Sequence, residues 1–94
     1  MTRRSLAEIL YEETKGTPEE DGEEWLLLYD FEGVKLSTKF YTNLTRLSAL
    51  KGKTALIQYS ALLTSSRRVA LAAKNLAAHY GAKTTVFKVV GTDL

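Results

Sequence analysis

Residues Trp25–Phe31 (WLLLYDF) form an apolar run that a single charged residue interrupts near its end. Seven residues are few for a buried helix but match the usual length of a strand. An apolar run without regular polar alternation is typical of a strand inside a sheet. We therefore predict a central buried strand here, with the rest of the domain packed around it.

Two later segments have the periodicity of amphipathic helices. The first follows Ser37, a favourable N-cap residue, and places Phe40, Leu44 and Leu47 on one face. The second runs from Val69 to Tyr80, where apolar residues recur at i, i+3, i+4, i+7, i+8 and i+11. This second stripe is the strongest helix signal in the sequence.

The remaining apolar segments predict strands. Residues Thr54–Leu63 form either one bent strand or two short strands joined near Ser60, and Thr84–Val90 form the last strand. The resulting order, β-α-β(β)-α-β, is that of the α+β ferredoxin-like split βαβ sandwich. In this arrangement two helices cover one face of an antiparallel or mixed sheet. The other face is expected to be open or covered by a second subunit.

Charge divides the chain near residue 24. Residues 1–24 hold three basic and eight acidic residues, a net charge of −5, whereas residues 25–94 hold ten basic and three acidic residues, a net charge of +7. We predict an acidic arm or linker over residues 1–24, with a short helix after Ser5, and a ferredoxin-like domain over residues 25–94. The basic domain suits a polyanion such as nucleic acid, although a solubilising surface has the same composition.

Two absences limit the class of protein. The chain has no cysteine, which excludes disulfides, thiolate zinc sites and cysteine nucleophiles. Small secreted domains usually need disulfides, so we expect a cytoplasmic protein. No apolar run approaches the roughly 20 residues needed to cross a bilayer, so no membrane partner is expected.

Asp30 is the candidate for chemistry, because it ends the apolar strand with a carboxylate. Such a carboxylate can help to hold a hard cation such as Mg²⁺, with water completing the coordination. An aspartate in this position is also a common turn residue. A two-fold axis that brought two copies of Asp30 together would make a cation site that one copy lacks.

The basic residues suggest contacts with a phosphate backbone. Arg67 and Arg68 open the second helix next to the hydroxyls of Thr64, Ser65 and Ser66. Hydroxyls, helix N–H groups and guanidinium groups together suit a phosphate, but the same residues describe a capped helix with two solvated arginines. The candidate nucleic-acid contacts are Lys35, Lys39, Arg46, Arg67 and Arg68.

Three short motifs occur in order: Tyr29-Asp30-Phe31 at the end of the first strand, Ile57-Gln58-Tyr59-Ser60 on the next, and Thr64-Ser65-Ser66-Arg67 before the second helix. On these motifs, roughly Trp25 to Val90 resembles the small CRISPR-associated adaptation protein that partners the spacer integrase. The segment is more distantly similar to the virulence-associated protein D toxins.

The resemblance implies a ferredoxin-like homodimer that binds DNA or RNA. It implies that Asp30 binds a divalent cation, Mg²⁺, at the dimer interface as a nuclease residue, with Ser60 close to it. Some members of the family are metal-dependent endonucleases, and others hold DNA for an integrase-type protein partner. The resemblance does not decide between an enzyme and a scaffold.

Two functions follow as predictions. The first is a homodimeric nucleic-acid-binding protein, either hydrolysing phosphodiester bonds or only scaffolding DNA. The alternative is a non-catalytic dimeric scaffold or regulator that docks a protein partner through its open sheet face or last strand. The acidic arm either competes with nucleic acid for the basic surface or docks through Leu6, Ile9 and Leu10.

Overall fold

The computed structural model describes residues 5–18, 23–31, 33, 38–51, 54–58 and 60–89. Its elements are α1 (Leu6–Glu13), β1 (Glu24–Asp30), α2 (Thr38–Lys51), β2 (Thr54–Gln58), β3 (Ala61–Thr64), α3 (Arg67–His79) and β4 (Lys83–Val89). The four strands form one antiparallel sheet in the order β2-β3-β1-β4. This is the strand order of a ferredoxin-like sheet, so the predicted α+β class is confirmed. The predicted N-cap Ser37 lies outside the described residues.

Strand β1 is central, as predicted, because it pairs with β3 on one side and β4 on the other. Its burial alternates, however: Leu27 and Tyr29 are buried, whereas Leu28 and Asp30 are exposed. The prediction of a fully buried strand is therefore wrong for one of its two faces. Residues 54–64 form two separate strands, as the second alternative for this segment predicted.

The buried face of the sheet packs against α2 and α3. The predicted stripe of α2 is fully buried, and in α3 Val69, Leu76 and four alanines are fully buried. Each large apolar side chain removed from water contributes about 1.5–3 kcal/mol. The alanines let the helix approach the sheet closely. The periodicity of both helices is thus explained by this single core.

The opposite side of the sheet has no helix of the described chain packed on it, and we call it the open face. The strand register assigns it Glu24, Leu26, Leu28 and Asp30 of β1, Ala61 and Leu63 of β3, and Lys83, Thr85, Phe87 and Val89 of β4. Leu28 is 40% exposed and Phe87 is 48% exposed. Exposed apolar side chains on one surface indicate a place for association.

Helix α1 packs against both α2 and α3. Ser5 caps it, since its hydroxyl accepts a hydrogen bond from the Glu8 N–H at 3.2 Å. Ala7 and Leu10 belong to the same hydrophobic core as the sheet, and Leu6 packs against that core. Ile9, in contrast, is 42% exposed. The acidic N-terminal segment therefore shares the core of the basic residues that follow it.

Side chains of α2 and α3 hold the two ends of α1. Near its first turn, the Ala7 N–H donates to Asn43 Oδ1 at 3.1 Å. Near its last turn, the Tyr11 carbonyl accepts from Arg68 Nε at 3.1 Å and from Arg68 Nη2 at 2.8 Å. The Ala7 N–H is one of the groups that a helix leaves without an internal partner at its start, whereas the Tyr11 carbonyl also accepts from the Thr14 N–H and hydroxyl. A helix of eight residues, marginal alone, is stabilised in this way.

No helix in the described part of the chain has the length and apolarity that a membrane-spanning helix requires.

Candidate functional site

A shallow cleft of about 470 Å³ opens at one end of the open face, and we call it the rim cleft. Its lining residues are Leu28, Tyr29, Asp30, Ser60, Lys83 and Thr85. They come from the end of β1, the turn before β3, and the start of β4. The cleft therefore forms where three segments of the chain meet.

The rim cleft brings together the two residues that sequence motifs singled out, Asp30 and Ser60. A backbone hydrogen bond explains their proximity: the Tyr29 N–H donates to the Ser60 carbonyl at 3.0 Å. This bond continues the β1–β3 ladder past Leu28, which pairs with Ala61. Antiparallel pairing thus places the end of β1 beside the turn that precedes β3.

Lys83 and Thr85 also line the rim cleft, and sequence reasoning did not select them. In the β1–β4 ladder Asp30 lies directly opposite Lys83, and Leu28 lies opposite Thr85. Opposed residues in antiparallel strands have Cβ atoms about 4.5–5.5 Å apart. Finding Lys83 from sequence would have required the register of two strands more than fifty residues apart.

The described lining residues of the rim cleft carry a carboxylate, an ammonium group and three hydroxyls, and of these hydroxyls the one on Tyr29 belongs to a buried residue. Asp30 fits as one ligand of Mg²⁺, which commonly takes one or two carboxylates and completes its shell with water and substrate phosphates. Among the described residues no three His, Asp or Glu side chains cluster to hold a metal. Lys83 lies opposite Asp30, and its ammonium group would repel a metal cation bound at this carboxylate.

The hydroxyls before α3 serve the backbone of the helix. Ser66 Oγ accepts a hydrogen bond from the Val69 N–H at 3.1 Å, and Thr64 Oγ1 accepts one from the Ser66 N–H at 3.1 Å. Both side chains are buried. Of the two interpretations of this segment, the structure thus agrees with the capped helix for Thr64 and Ser66.

The two arginines at the start of α3 have different surroundings. The Arg68 guanidinium lies over the Tyr11 ring, 3.6 Å from its centroid, in addition to its two hydrogen bonds with the Tyr11 carbonyl. The Arg67 guanidinium lies 5.2 Å from the centroid of the Trp25 ring. Both are cation–π contacts within the chain. Arg68 therefore anchors α1, whatever else it contacts.

Two other predicted contacts lie on α2. Lys39 and Arg46 are exposed, and their spacing of seven residues places them two turns apart on the same side of the helix. Asn43, which holds the start of α1, lies between them along the helix. Lys35 lies outside the described residues.

Four aromatic residues pack around Phe40. The rings of Tyr29, Phe31, Tyr41 and Tyr80 meet the Phe40 ring edge-on, with centroids 4.9–6.0 Å away. Burial, with a smaller effect of Tyr41, raises the pKa of the Tyr29 hydroxyl to about 12. Tyr59 lies outside the described residues.

Comparison of the chain with protein-family models, curated proteins and solved structures gives no match.

Proposed function

We infer that the protein is a homodimer that associates through its open face and binds the backbone of a nucleic acid through basic residues elsewhere. The observation that carries the nucleic-acid part is the distribution of charge over the folded elements. Residues 33–92 contain ten of the thirteen lysines and arginines and no aspartate or glutamate. Helices α2 and α3 and strand β4 thus carry basic residues and no acidic ones, and β2 and β3 carry no charged residue.

Lys39 and Arg46 are the contacts best placed for this role. Both are exposed, and they lie about 10 Å apart along the axis of α2. Phosphates of one duplex DNA strand are spaced by about 3.4 Å along the helix axis, so this distance corresponds to about three nucleotides. Arg68 is less available, because its guanidinium holds the Tyr11 carbonyl.

The dimer part of the proposal depends on the open face. Its apolar centre includes Leu28 and Phe87, both exposed in the single chain. A chain of 94 residues buries only a modest share of its surface. Covering the open face with a second copy would add apolar burial at the one face of the sheet that the helices leave uncovered.

The salt dependence of binding to labelled DNA and RNA of arbitrary sequence tests the nucleic-acid part. Lys39→Gln with Arg46→Gln should weaken binding and reduce the salt slope by about one unit for each lost phosphate contact. The matched control is Lys15→Gln with Lys88→Gln. Those lysines already pair with Glu12 at 3.8 Å and Glu23 at 2.7 Å. No binding at low salt would refute the nucleic-acid proposal.

Phosphodiester hydrolysis is a second candidate, because Asp30 and Ser60 line one cleft. Mg²⁺ held there would activate water and offset the negative charge of the phosphate. Among the described lining residues Asp30 supplies the one carboxylate, so a paired copy of Asp30 or the substrate's phosphate oxygens would have to complete the site. Asp30→Ala should abolish Mg²⁺-dependent cleavage, and cleavage at the wild-type rate would remove the catalytic proposal.

Docking of a protein partner is the third candidate. Strand β4 is the last strand of the sheet and carries the exposed Phe87, so its outer edge offers a place for strand addition. Binding to a protein that is insensitive to salt, without nucleic-acid binding, would favour this scaffold. The resemblance to CRISPR-associated adaptation proteins stays a prediction, and so does an integrase-type partner.

We place the protein in the cytoplasm, because the chain has no cysteine and secreted domains of this size usually depend on disulfides.

A further inference from the structure

Along the β1–β4 ladder, the residue pairs of the open face change from charged to apolar. At one end Asp30 lies opposite Lys83, in the middle Leu28 lies opposite Thr85, and then Leu26 lies opposite Phe87. One end is therefore charged with both signs, the middle is largely apolar, and at the far end Glu24 lies opposite Val89. A surface of this kind is complementary to itself only in particular orientations.

We propose that a second copy covers the open face and is related to the first by a two-fold axis parallel to β1 and β4. The axis lies midway between the two facing sheets, above the gap between β1 and β4. The inference rests on the homodimer proposed above and specifies its register. Rotation about this axis lays β1 of one protomer over β4 of its partner at the same level along the strands. Asp30 then faces Lys83 of the partner subunit, and Leu26 faces Phe87 of the partner subunit.

Charge complementarity selects this axis. The two pairs of Asp30 and Lys83 form a ring of four alternating charges, which is neutral without any added ion. Aligned sheets pack about 10 Å apart, and the long side chain of Lys83 can reach a facing carboxylate across that gap. A dimer that instead brings the two Asp30 carboxylates together requires a cation between them.

The same register matches the apolar residues. The exposed ring of Phe87 is covered by Leu26 of the partner subunit, and the reverse contact is made by symmetry. Both residues lie in the apolar part of the open face, away from the charged end. Buried apolar contacts would supply the affinity, and the charged end would set the orientation.

Charge exchange tests the register. Asp30→Lys and Lys83→Asp alone each place four like charges at the interface, so each should weaken self-association by at least about tenfold. An equimolar mixture of the two variants should form a heterodimer with near wild-type affinity, because every facing pair is again opposite in sign. The double variant Asp30→Lys with Lys83→Asp should also dimerise, and it restores the pair within each sheet.

Sedimentation velocity in EDTA over a range of concentrations gives the readout, with circular dichroism to confirm folding. Lys74→Asp, which makes the same charge change on an exposed position of α3, should dimerise like the wild type. A monomeric wild type would refute the homodimer itself. If both single variants dimerise as strongly as the wild type, or if their mixture stays monomeric, only the register is overturned. A dimer that requires Mg²⁺ would also overturn it and favour paired Asp30 carboxylates.

Discussion

The guanidinium of Arg68 donates two hydrogen bonds to the backbone carbonyl of Tyr11, a residue 57 positions earlier, and covers the Tyr11 ring. The cation also lies near the C-terminal end of α1, where the helix dipole favours positive charge. One side chain of α3 thus meets three features of α1. This contact ties the N-terminal acidic segment to the basic part of the chain.

We predict that Arg68→Ala lowers the free energy of unfolding by about 2 kcal/mol, because it removes two charge-assisted hydrogen bonds and a cation–π contact. Urea denaturation followed by circular dichroism measures the loss. Arg67→Ala is the matched control and should cost less, since Arg67 makes only the more distant contact with Trp25. Equal losses for the two variants would contradict an anchoring role for Arg68.

The side-chain oxygen of Asn43 should stabilise the fold. We expect Asn43→Ala to lower the free energy of unfolding by about 1 kcal/mol, because the Ala7 N–H loses its acceptor at the start of α1. Asn43→Asp keeps the acceptor and adds a favourable charge at the helix N-terminus, but it loses the bond from Asn43 Nδ2 to the Lys39 carbonyl at 3.0 Å, so it should lose less stability than Asn43→Ala. If both variants lose stability equally, the bond to Ala7 is not the cause.

The acidic residues of α1 test competition with nucleic acid without disturbing the core. Deleting the whole arm would remove Ala7 and Leu10 from the core and should therefore destabilise the fold. Glu12→Gln with Glu13→Gln changes only exposed positions. If the acidic helix competes for the basic surface, this variant should bind DNA roughly two- to fivefold more tightly at low salt, and the gain should fade as salt rises.

An unchanged dissociation constant for that variant would show that the acidic charge of α1 does not compete. Glu24→Gln provides a control that removes acidic charge from β1 instead of α1.

Stability should fall at high pH because of Tyr29. An unfolded tyrosine ionises near pH 10, whereas the folded protein holds the pKa of Tyr29 at about 12. Between these values the unfolded chain releases a proton that the folded protein keeps, so the free energy of unfolding decreases as pH rises. Below about pH 10 Tyr29 should contribute no pH dependence.

Spectrophotometric titration of wild type and Tyr29→Phe checks this prediction. The difference between the two curves should be one tyrosine that ionises near pH 12. The variant should also lose less stability between pH 10 and 12. A difference curve centred near pH 10 would count against the buried hydroxyl.

The helices and the order of elements along the chain could be predicted because periodicity and capping are local. The stripe from Val69 onward follows from residue spacing, and Ser66 is one of the three hydroxyl residues, Thr64, Ser65 and Ser66, predicted to cap this helix. Sequence could not show which face of β1 is buried, because Leu26, Leu27 and Leu28 are chemically alike. In α1, Ile9 was expected to be covered along with Leu6 and Leu10, but the small Ala7 allows the closer approach and Ile9 remains exposed.

The sequence predicted only part of the rim cleft, because local patterns do not show which residues of distant strands lie side by side. Asp30 and Ser60 were found because short motifs marked them, and pairing of neighbouring strands brought them together. Lys83 joins them through the register of β1 and β4, which no local pattern encodes. Arg68 looked like a phosphate contact beside hydroxyls, whereas its carbonyl partner belongs to a segment distant in sequence.

The attachment of α1 has a consequence for the order in which the chain folds during synthesis. Helix α1 leaves the ribosome before α2 and α3, and Asn43 and Arg68, which hold its two ends, are made 36 and 57 residues after their partners. Until α3 has emerged, Ala7 and Leu10 have no complete surface to pack on, and an eight-residue helix is marginal alone. Helix α1 is thus made before the residues that hold it and is among the last elements to become ordered, and nascent chains that stall before Arg68 should leave it open to proteases.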